Sequence, residues 1–413
     1  MTRSNPERRL PSPNAQVRRV YDRRPYPFGD DRALRRSSWN LCLDWIQAFG
    51  RDRGCPMPAR VLVAGCGSGS EAFSLQRQMP KAEIVAVDFS PRSVALARRL
   101  QRRDPALRRI RFEVADLAEP GLAPKLGATF DLITCHGVLS YIPAPARVLR
   151  NFAQCLDQRG ALYLGVNGAA HQSVRLRQAL PALGFDLADF RDDARTKGII
   201  GACDAVLAAE SFPRLAGLGA AFVSSDVFAS PNHLLPVSKW VSLARSAGLH
   251  FRASASSVRV FRQLAQEERT SLMIPRSRAE LGALFELLVP GRFHRLIFSL
   301  APEANPPWQH QRRLYRWTLE PSRLYHYRLP PAGRAVRDRL RSVTIASKPF
   351  DTLTAWRMPE WELELLRPAA AGREVGSLLG GLPLAVPFAD VRNQLFILHH
   401  LGILTLRPPV GPV

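Results

Sequence analysis

The stretch RVLVAGCGSGSEAF, Arg60 to Phe73, decides the reading of this chain of 413 residues. A valine-rich run ends in a loop with glycine at three alternate positions, Gly65, Gly67 and Gly69, and a helix start follows at Ser70. Glycines so placed let the backbone turn sharply and leave no side chain between it and a ligand. A dinucleotide loop needs a glycine where this chain has Ser70, and a phosphate loop needs a lysine after Gly69. Both fingerprints fail. What remains is an acid at the end of the next valine-rich run, Asp88 in EIVAVD, where a carboxylate accepts hydrogen bonds from both hydroxyls of a ribose. A second acid, Asp116, ends IRFEVAD beside Leu117, within reach of an adenine amino group. Loop and acids together describe a pocket for adenosine with a non-phosphate tail.

Working outward, apolar runs at 60–64, 83–88, 110–116, 130–135 and 161–167 read as strands, and 70–79, 91 to about 103 and 145–156 as helices. Strands separated by helices predict right-handed crossovers and a doubly wound, parallel, Rossmann-like α/β sheet. A helix over 30–50 leads in. Residues 168–232 break the rhythm and read as a helical insertion at the ligand edge, and 236–261 resume as helix, strand and strand. The remaining stretch reads as a separate, mainly α region with its own core, closing in the helix, turn, helix, short-strand order of a winged helix. Its second helix spends Val391, Leu395, Phe396, Leu398 and Leu401 on packing, which argues against DNA reading. The expected organisation is a tail and lead-in over 1–29, the α/β domain over 30–262 with its insertion at 168–232, and an accessory region over 263–413 that cofactor binding does not need.

The hydrophobic fraction of 46% suffices for real cores. No apolar run of roughly 18 residues and no leader pattern is seen, so a cytoplasmic protein without a membrane role is expected. Six cysteines form no CxxC pair and have no histidines at ligand spacing, so no metal is expected. The net charge of +23 suggests nucleic acid, but the excess is spread along the chain and only five of 58 basic residues are lysine. The densest cluster, Arg92 to Arg111, reads as the solvated face of an amphipathic helix.

Residues 60–167 resemble the core of class I S-adenosylmethionine-dependent methyltransferases: VLVAGCGSGS, VDFS, ADL, FDLITCHGVLSYIP and QRGALYLGVNG occur in that family's order. The resemblance implies S-adenosylmethionine as cofactor. It places Gly65, Cys66, Gly67, Ser68 and Gly69 along the methionine moiety, Glu71 at its amino group, Asp88, Phe89 and Ser90 at the ribose, and Asp116 and Leu117 at the adenine. Transfer of a methyl from sulfonium is then an in-line displacement that depends on placement. His136, just beyond the fourth strand, is a candidate general base, with a contact to cofactor or backbone as the alternative. Tyr141 is a second catalytic candidate, and Asn167 shares the rim. The place where amide and exocyclic-amine methylases carry an Asn/Asp-Pro-Pro-Tyr box reads TCHGVLSY here, and Cys135 lacks the Pro-Cys context of an RNA cytosine nucleophile.

The lead-in VRRVYDRRPYPFGDD, 17–31, resembles that of a set of bacterial methyltransferases, and Tyr21, Tyr26 and Phe28 are expected either to close over the site or to pack on the helix of Trp39. The C-terminal region is similar to a regulatory region of certain bacterial methyltransferases. Two function classes remain. One is a methyltransferase for a small metabolite or a protein side chain held between the sheet edge and residues 168–232; the other is a non-catalytic S-adenosylmethionine-binding regulatory or assembly module. RNA methylation is a minor third, and oligomeric state is left open.

Overall fold

Val61, Leu62, Val63 and Ala64 are all buried, so strand β1 (Arg60–Ala64) is covered on both faces and must lie inside a sheet. In the computed structural model of the chain it does. The structure describes residues 56–127, 129–171, 173–182, 231–254, 278–288, 290–302, 304–321, 325–329, 340–347, 353–367, 370–381 and 386–409. Shorter pieces at 22, 26, 32–35, 46, 49–50, 184, 198 and 201–203 are also described.

Beyond β1 the chain forms β2 (Glu83–Asp88), β3 (Ile110–Val114), β4 (Phe130–His136), β5 (Leu156–Asn167), β6 (His250–Ser254) and β7 (Phe293–Ser299), in the sheet order β3-β2-β1-β4-β5-β7-β6. The first five run parallel, and β7 is antiparallel to both β5 and β6. The sheet is therefore mixed at one end, and Asp116 sits in the turn after β3 instead of on it. Helix α1 (Ser70–Gln78) and helix α2 (Pro91–Gln101) cover one face with Phe73, Leu75, Val94, Leu96 and Leu100. Helix α3 (Pro145–Cys155) covers the other with Val148, Leu149 and Phe152. The α2 start is set by Ser90, whose hydroxyl accepts from the Ser93 amide, with Pro91 at the first helical position.

The boundary expected at residue 262 does not hold. Strand β7, from beyond it, is inserted between β5 and β6 and buries Leu296, Ile297 and Phe298 in the sheet's own core. Local patterning shows a strand but not its partner, and an antiparallel strand 126 residues downstream of Asn167 carries no crossover signature. The later chain is not a separate core either. Leu395, Phe396 and Leu398 belong to the same apolar cluster as Val61, Val63 and Phe73. Gly402, at φ +70, lies where a Cβ would come within 2.3 Å of the Phe49 ring. Arg278 donates to the His399 carbonyl at 2.9 Å while its guanidinium stands 4.8 Å over the same Phe49 ring.

The end of the chain carries helices at Val375–Gly380 and Phe388–His400 and a strand at Leu404–Arg407. That strand pairs with Thr318–Pro321, and a separate three-stranded sheet joins Tyr325–Arg328, Leu340–Ser347 and Leu353–Pro359. Val391, Leu395, Phe396, Leu398 and Leu401 are buried. Of the insertion, helix α4 (Ser173–Ala182) and the flanking stretches are described; most of 183–230 lies outside the described residues, as do Tyr21, Phe28 and most of the lead-in helix. Among the described residues no helix is long and apolar enough to cross a membrane, and no group of three or more His, Cys, Asp or Glu is placed to hold a metal.

Candidate active site

The glycine loop is built as its spacing demands. Gly65, Gly67 and Gly69 have φ of +78, +52 and +94, the left-handed region where a side chain is strained. At Gly65 there is no room either, because a Cβ would fall 2.3 Å from Val138 Cγ2. The loop is tied to the end of β2: the Gly65 and Cys66 amides donate to the Val87 carbonyl at 2.8 and 2.9 Å. The Gly67 amide donates to Asp88 Oδ2 at 2.9 Å. The other oxygen, Asp88 Oδ1, accepts from the Ser90 amide at 2.9 Å. Each oxygen keeps a further lone pair. Burial lifts the Asp88 carboxyl to about 6 against the pull of the Ser90 and Gly67 amides, and the nearby Asp22 carboxylate adds to the lift.

Asp22 was not legible as a site residue. Its Oδ1 accepts from Ser90 Oγ at 2.6 Å, and its carbonyl accepts from Arg92 at 3.0 Å. Four residues on, the Tyr26 carbonyl accepts from the Ser68 amide at 2.9 Å. Asp22 thus meets the Asp88 turn and Tyr26 the glycine loop. A lone acid in a polar tail has no periodicity to mark it. Across β3, Asp116 Oδ1 accepts from the Ala118 amide at 2.9 Å, and Asn151 holds the Leu117 carbonyl at 2.8 Å. Phe89 is half-buried between these groups in sequence, and Leu117 is buried.

Glu71, in the first turn of α1, is half-buried, and its buried Oε1 has no hydrogen-bond partner. Burial raises its carboxyl to about 7, moderated by the Thr134 hydroxyl, which lies beside it without reaching hydrogen-bonding geometry. Ser68 Oγ is likewise buried and unpartnered. Cys66 and Cys135 are buried thiols pushed well up by burial, which makes both poor nucleophiles.

His136 closes β4. Its Nδ1 lies 2.9 Å from Tyr163 Oη, its ring 4.9 Å from that of Phe293, and burial with the Arg295 charge lowers it to about 3. Burial pushes the Tyr163 phenol far up, so the pair is neutral. An imidazole so reluctant to take a proton is a poor general base. Tyr141 is buried in the rim, where its Oη accepts from Asn167 Nδ2 at 2.9 Å. The Asn167 backbone amide in turn donates to Ser140 Oγ at 2.8 Å, and its Nδ2 donates to Asn232 Oδ1 at 3.0 Å. His233 donates to the Ile142 carbonyl at 2.9 Å. Both described ends of the insertion therefore meet the sheet edge, one where the Gly168 and Ala170 amides donate to the Arg292 and Gly291 carbonyls, the other at Asn232 and the adjoining His233.

Residues 62–162 match the model of a methyltransferase domain family. The chain carries a class I S-adenosylmethionine-dependent methyltransferase domain. Among curated relatives it is 31% identical over 122 residues to the mitochondrial ubiquinone biosynthesis O-methyltransferase of Schizosaccharomyces pombe, 30% of this chain and 43% of that one. It is 35% identical over 105 residues to the trans-aconitate 2-methyltransferase of Methylobacterium nodulans, 25% and 37% of the two chains. The matched stretch thus spans about two fifths of these relatives' length. Its fold follows that of PKMT2 from Rickettsia typhi, solved in complex with AdoHcy, over 91% of this chain and 77% of that one, with a TM-score of 0.50 at 13% identity.

The cofactor of such a domain is S-adenosylmethionine, and the residues present fit it. Glycines with φ above zero leave a bare backbone cradle, Asp88 offers two oxygens with spare lone pairs to a pair of hydroxyls, and Glu71 Oε1 is a buried acceptor awaiting a donor.

Proposed function

We propose that the chain is an S-adenosylmethionine-dependent methyltransferase acting on the oxygen of a small acceptor that arrives already ionised. Bound S-adenosylmethionine supplies an electrophilic methyl on sulfonium. The glycine loop and Glu71 hold the methionine end, Asp88, Phe89 and Ser90 the ribose, and Asp116 and Leu117 the adenine. Asp22 clamps this arrangement from the lead-in. His136 and Tyr141 act as positioning groups at the acceptor edge, not as proton acceptors.

One observation carries the choice of acceptor. Among the described residues on that edge, His136 holds a proton only below about 3, and the Tyr163 phenol and Cys135 thiol keep theirs. Glu71, at about 7, stands on the cofactor's side in the first turn of α1. An acceptor that must lose a proton, such as an ammonium, finds no partner in these three groups, whereas a carboxylate needs none. The resemblance to relatives named as ubiquinone biosynthesis O-methyltransferases supports oxygen as the acceptor atom. The acceptor sits between the sheet edge and the insertion, whose flanks at 168–182 and 231–236 border Asn167 and Tyr141.

The test is transfer of labelled methyl from S-adenosylmethionine by the full chain to a panel of carboxylates, phenols and amines. Alkali-labile methyl esters are the expected product. Label found on amines alone would overturn this reading. Tight cofactor binding without transfer to any of them would favour the non-catalytic module.

A further inference from the structure

Strand pairing sets His136, Gly165 and Arg295 in one row across β4, β5 and β7, so their side chains project to the same face. The row lies at the carboxyl ends of β4 and β5, the edge where open α/β sheets take their ligands. Gly165 lets the row work. A Cβ there would fall 2.3 Å from His136 Nδ1, so the imidazole lies over the glycine and towards Phe293. At the end of the row, Arg295 Nε is buried and meets no acceptor among the described residues. An unmet buried guanidinium donor is costly unless a ligand meets it.

Glu71 shows the same want. It and Arg295 both act electrostatically on the Tyr163 phenol, yet no bond joins the two, and Glu71 Oε1 is unpartnered. A carboxylate and a guanidinium in one neighbourhood that do not pair with each other are each left available to a ligand charge of opposite sign. The cofactor's ammonium answers Glu71. Arg295 stands on β7, separated from β1 and its glycine loop by β4 and β5, and is left to a second ligand.

We infer that Arg295 is an acceptor-binding residue, gripping a carboxylate of the methyl acceptor over the His136–Gly165 step of the sheet. The inference rests on the proposed methyltransferase reading. A guanidinium suits a planar anion because it offers parallel N–H donors in a fixed fork, which a lysine ammonium cannot reproduce. Phe293 and the His136 ring form the apolar wall beside it, and Tyr163 supports the imidazole from below. The acceptor class is therefore a small organic acid, with either this carboxylate or a second oxygen receiving the methyl.

The experiment uses the full chain saturated with S-adenosylhomocysteine, titrated by calorimetry with acetate and benzoate and with acetamide and benzamide at matched ionic strength. At least one carboxylate is expected to bind about tenfold or more tightly than its amide. Arg295→Gln should erase that preference and Arg295→Lys restore part of it, while S-adenosylhomocysteine affinity, measured on each variant, reports that the fold and cofactor site are intact. Equal binding of acid and amide, no carboxylate binding at all, or an undiminished preference in Arg295→Gln would overturn the inference. Failure to bind S-adenosylhomocysteine would instead sink the methyltransferase reading, so the two failures are distinct.

Discussion

Asp88 shows how one side chain can organise a site. Its two oxygens fasten the Gly67 and Ser90 amides, which holds the glycine loop and the start of α2 at a fixed distance, and their remaining lone pairs face the ribose position. The charge state follows from this burial. A ribose hydroxyl donates to the ionised carboxylate, so binding favours the form that the free protein reaches only above about 6. Affinity for S-adenosylhomocysteine is thus expected to be full near pH 8 and to fall as pH drops through 6, by up to about tenfold per pH unit. Glu71, at about 7, contributes in the same direction through the ammonium. Asp88→Asn should bind weakly at both ends of the range and flatten the profile; calorimetry at pH 5, 6.5 and 8 reads this. Asp88 and Asp116 stand out in the sequence because acids at strand ends after a glycine loop are a pattern, and Glu71 is reached only through the family resemblance. Asp22 and Arg295 were not, because each reaches the site through the fold alone, one from a tail and one from a distant antiparallel strand.

At the level of elements, the alternation of strands and helices through residue 167 was readable because β1, β2 and β4 are each followed by a helix that covers the sheet. Glycine positions then mark where backbone and ligand meet. Gly65→Ala combines a left-handed φ with a 2.3 Å clash against Val138 and should cost about 1–3 kcal/mol of stability along with cofactor binding. A melting curve with and without S-adenosylhomocysteine checks both. Gly165→Ala acts differently. Its strand conformation suits alanine, but the new methyl displaces His136 from Tyr163. The expected result is near-normal S-adenosylhomocysteine affinity with methyl transfer reduced about tenfold or more, since misplacement by an ångström suffices for such losses. Loss of both together would mean that His136 serves the cofactor and not the acceptor.

Across the whole molecule, the accessory region and the catalytic sheet are one structure. Strand β7 supplies the hydrogen-bonding partner of β5 and β6, and the Gly402 and Arg278 contacts to Phe49 bind the last helix to the helix that leads into β1. Truncation after Phe261 leaves β6 without a neighbour and exposes the apolar residues that Leu296, Ile297 and Phe298 cover. Such a fragment is expected to be insoluble or to melt without a cooperative transition, whereas a folded fragment that binds S-adenosylhomocysteine would show the sheet to be self-sufficient. The sequence misled here for a physical reason: the apolar pattern of FHRLIFS identifies a strand, but the choice between β5 and a separate core is made by long-range packing.

The central claim, that the loop and acid after β1 and β2 form an S-adenosylmethionine site, is tested most directly by titrating S-adenosylhomocysteine and NAD into the full chain and its Asp88→Ala variant by calorimetry. The account predicts one S-adenosylhomocysteine per chain, no measurable heat from NAD, and a loss of roughly 1.5–3 kcal/mol, about 10- to 150-fold in affinity, in a folded Asp88→Ala protein. Binding of NAD in place of S-adenosylhomocysteine, or an Asp88→Ala affinity equal to that of the unaltered chain, would contradict it.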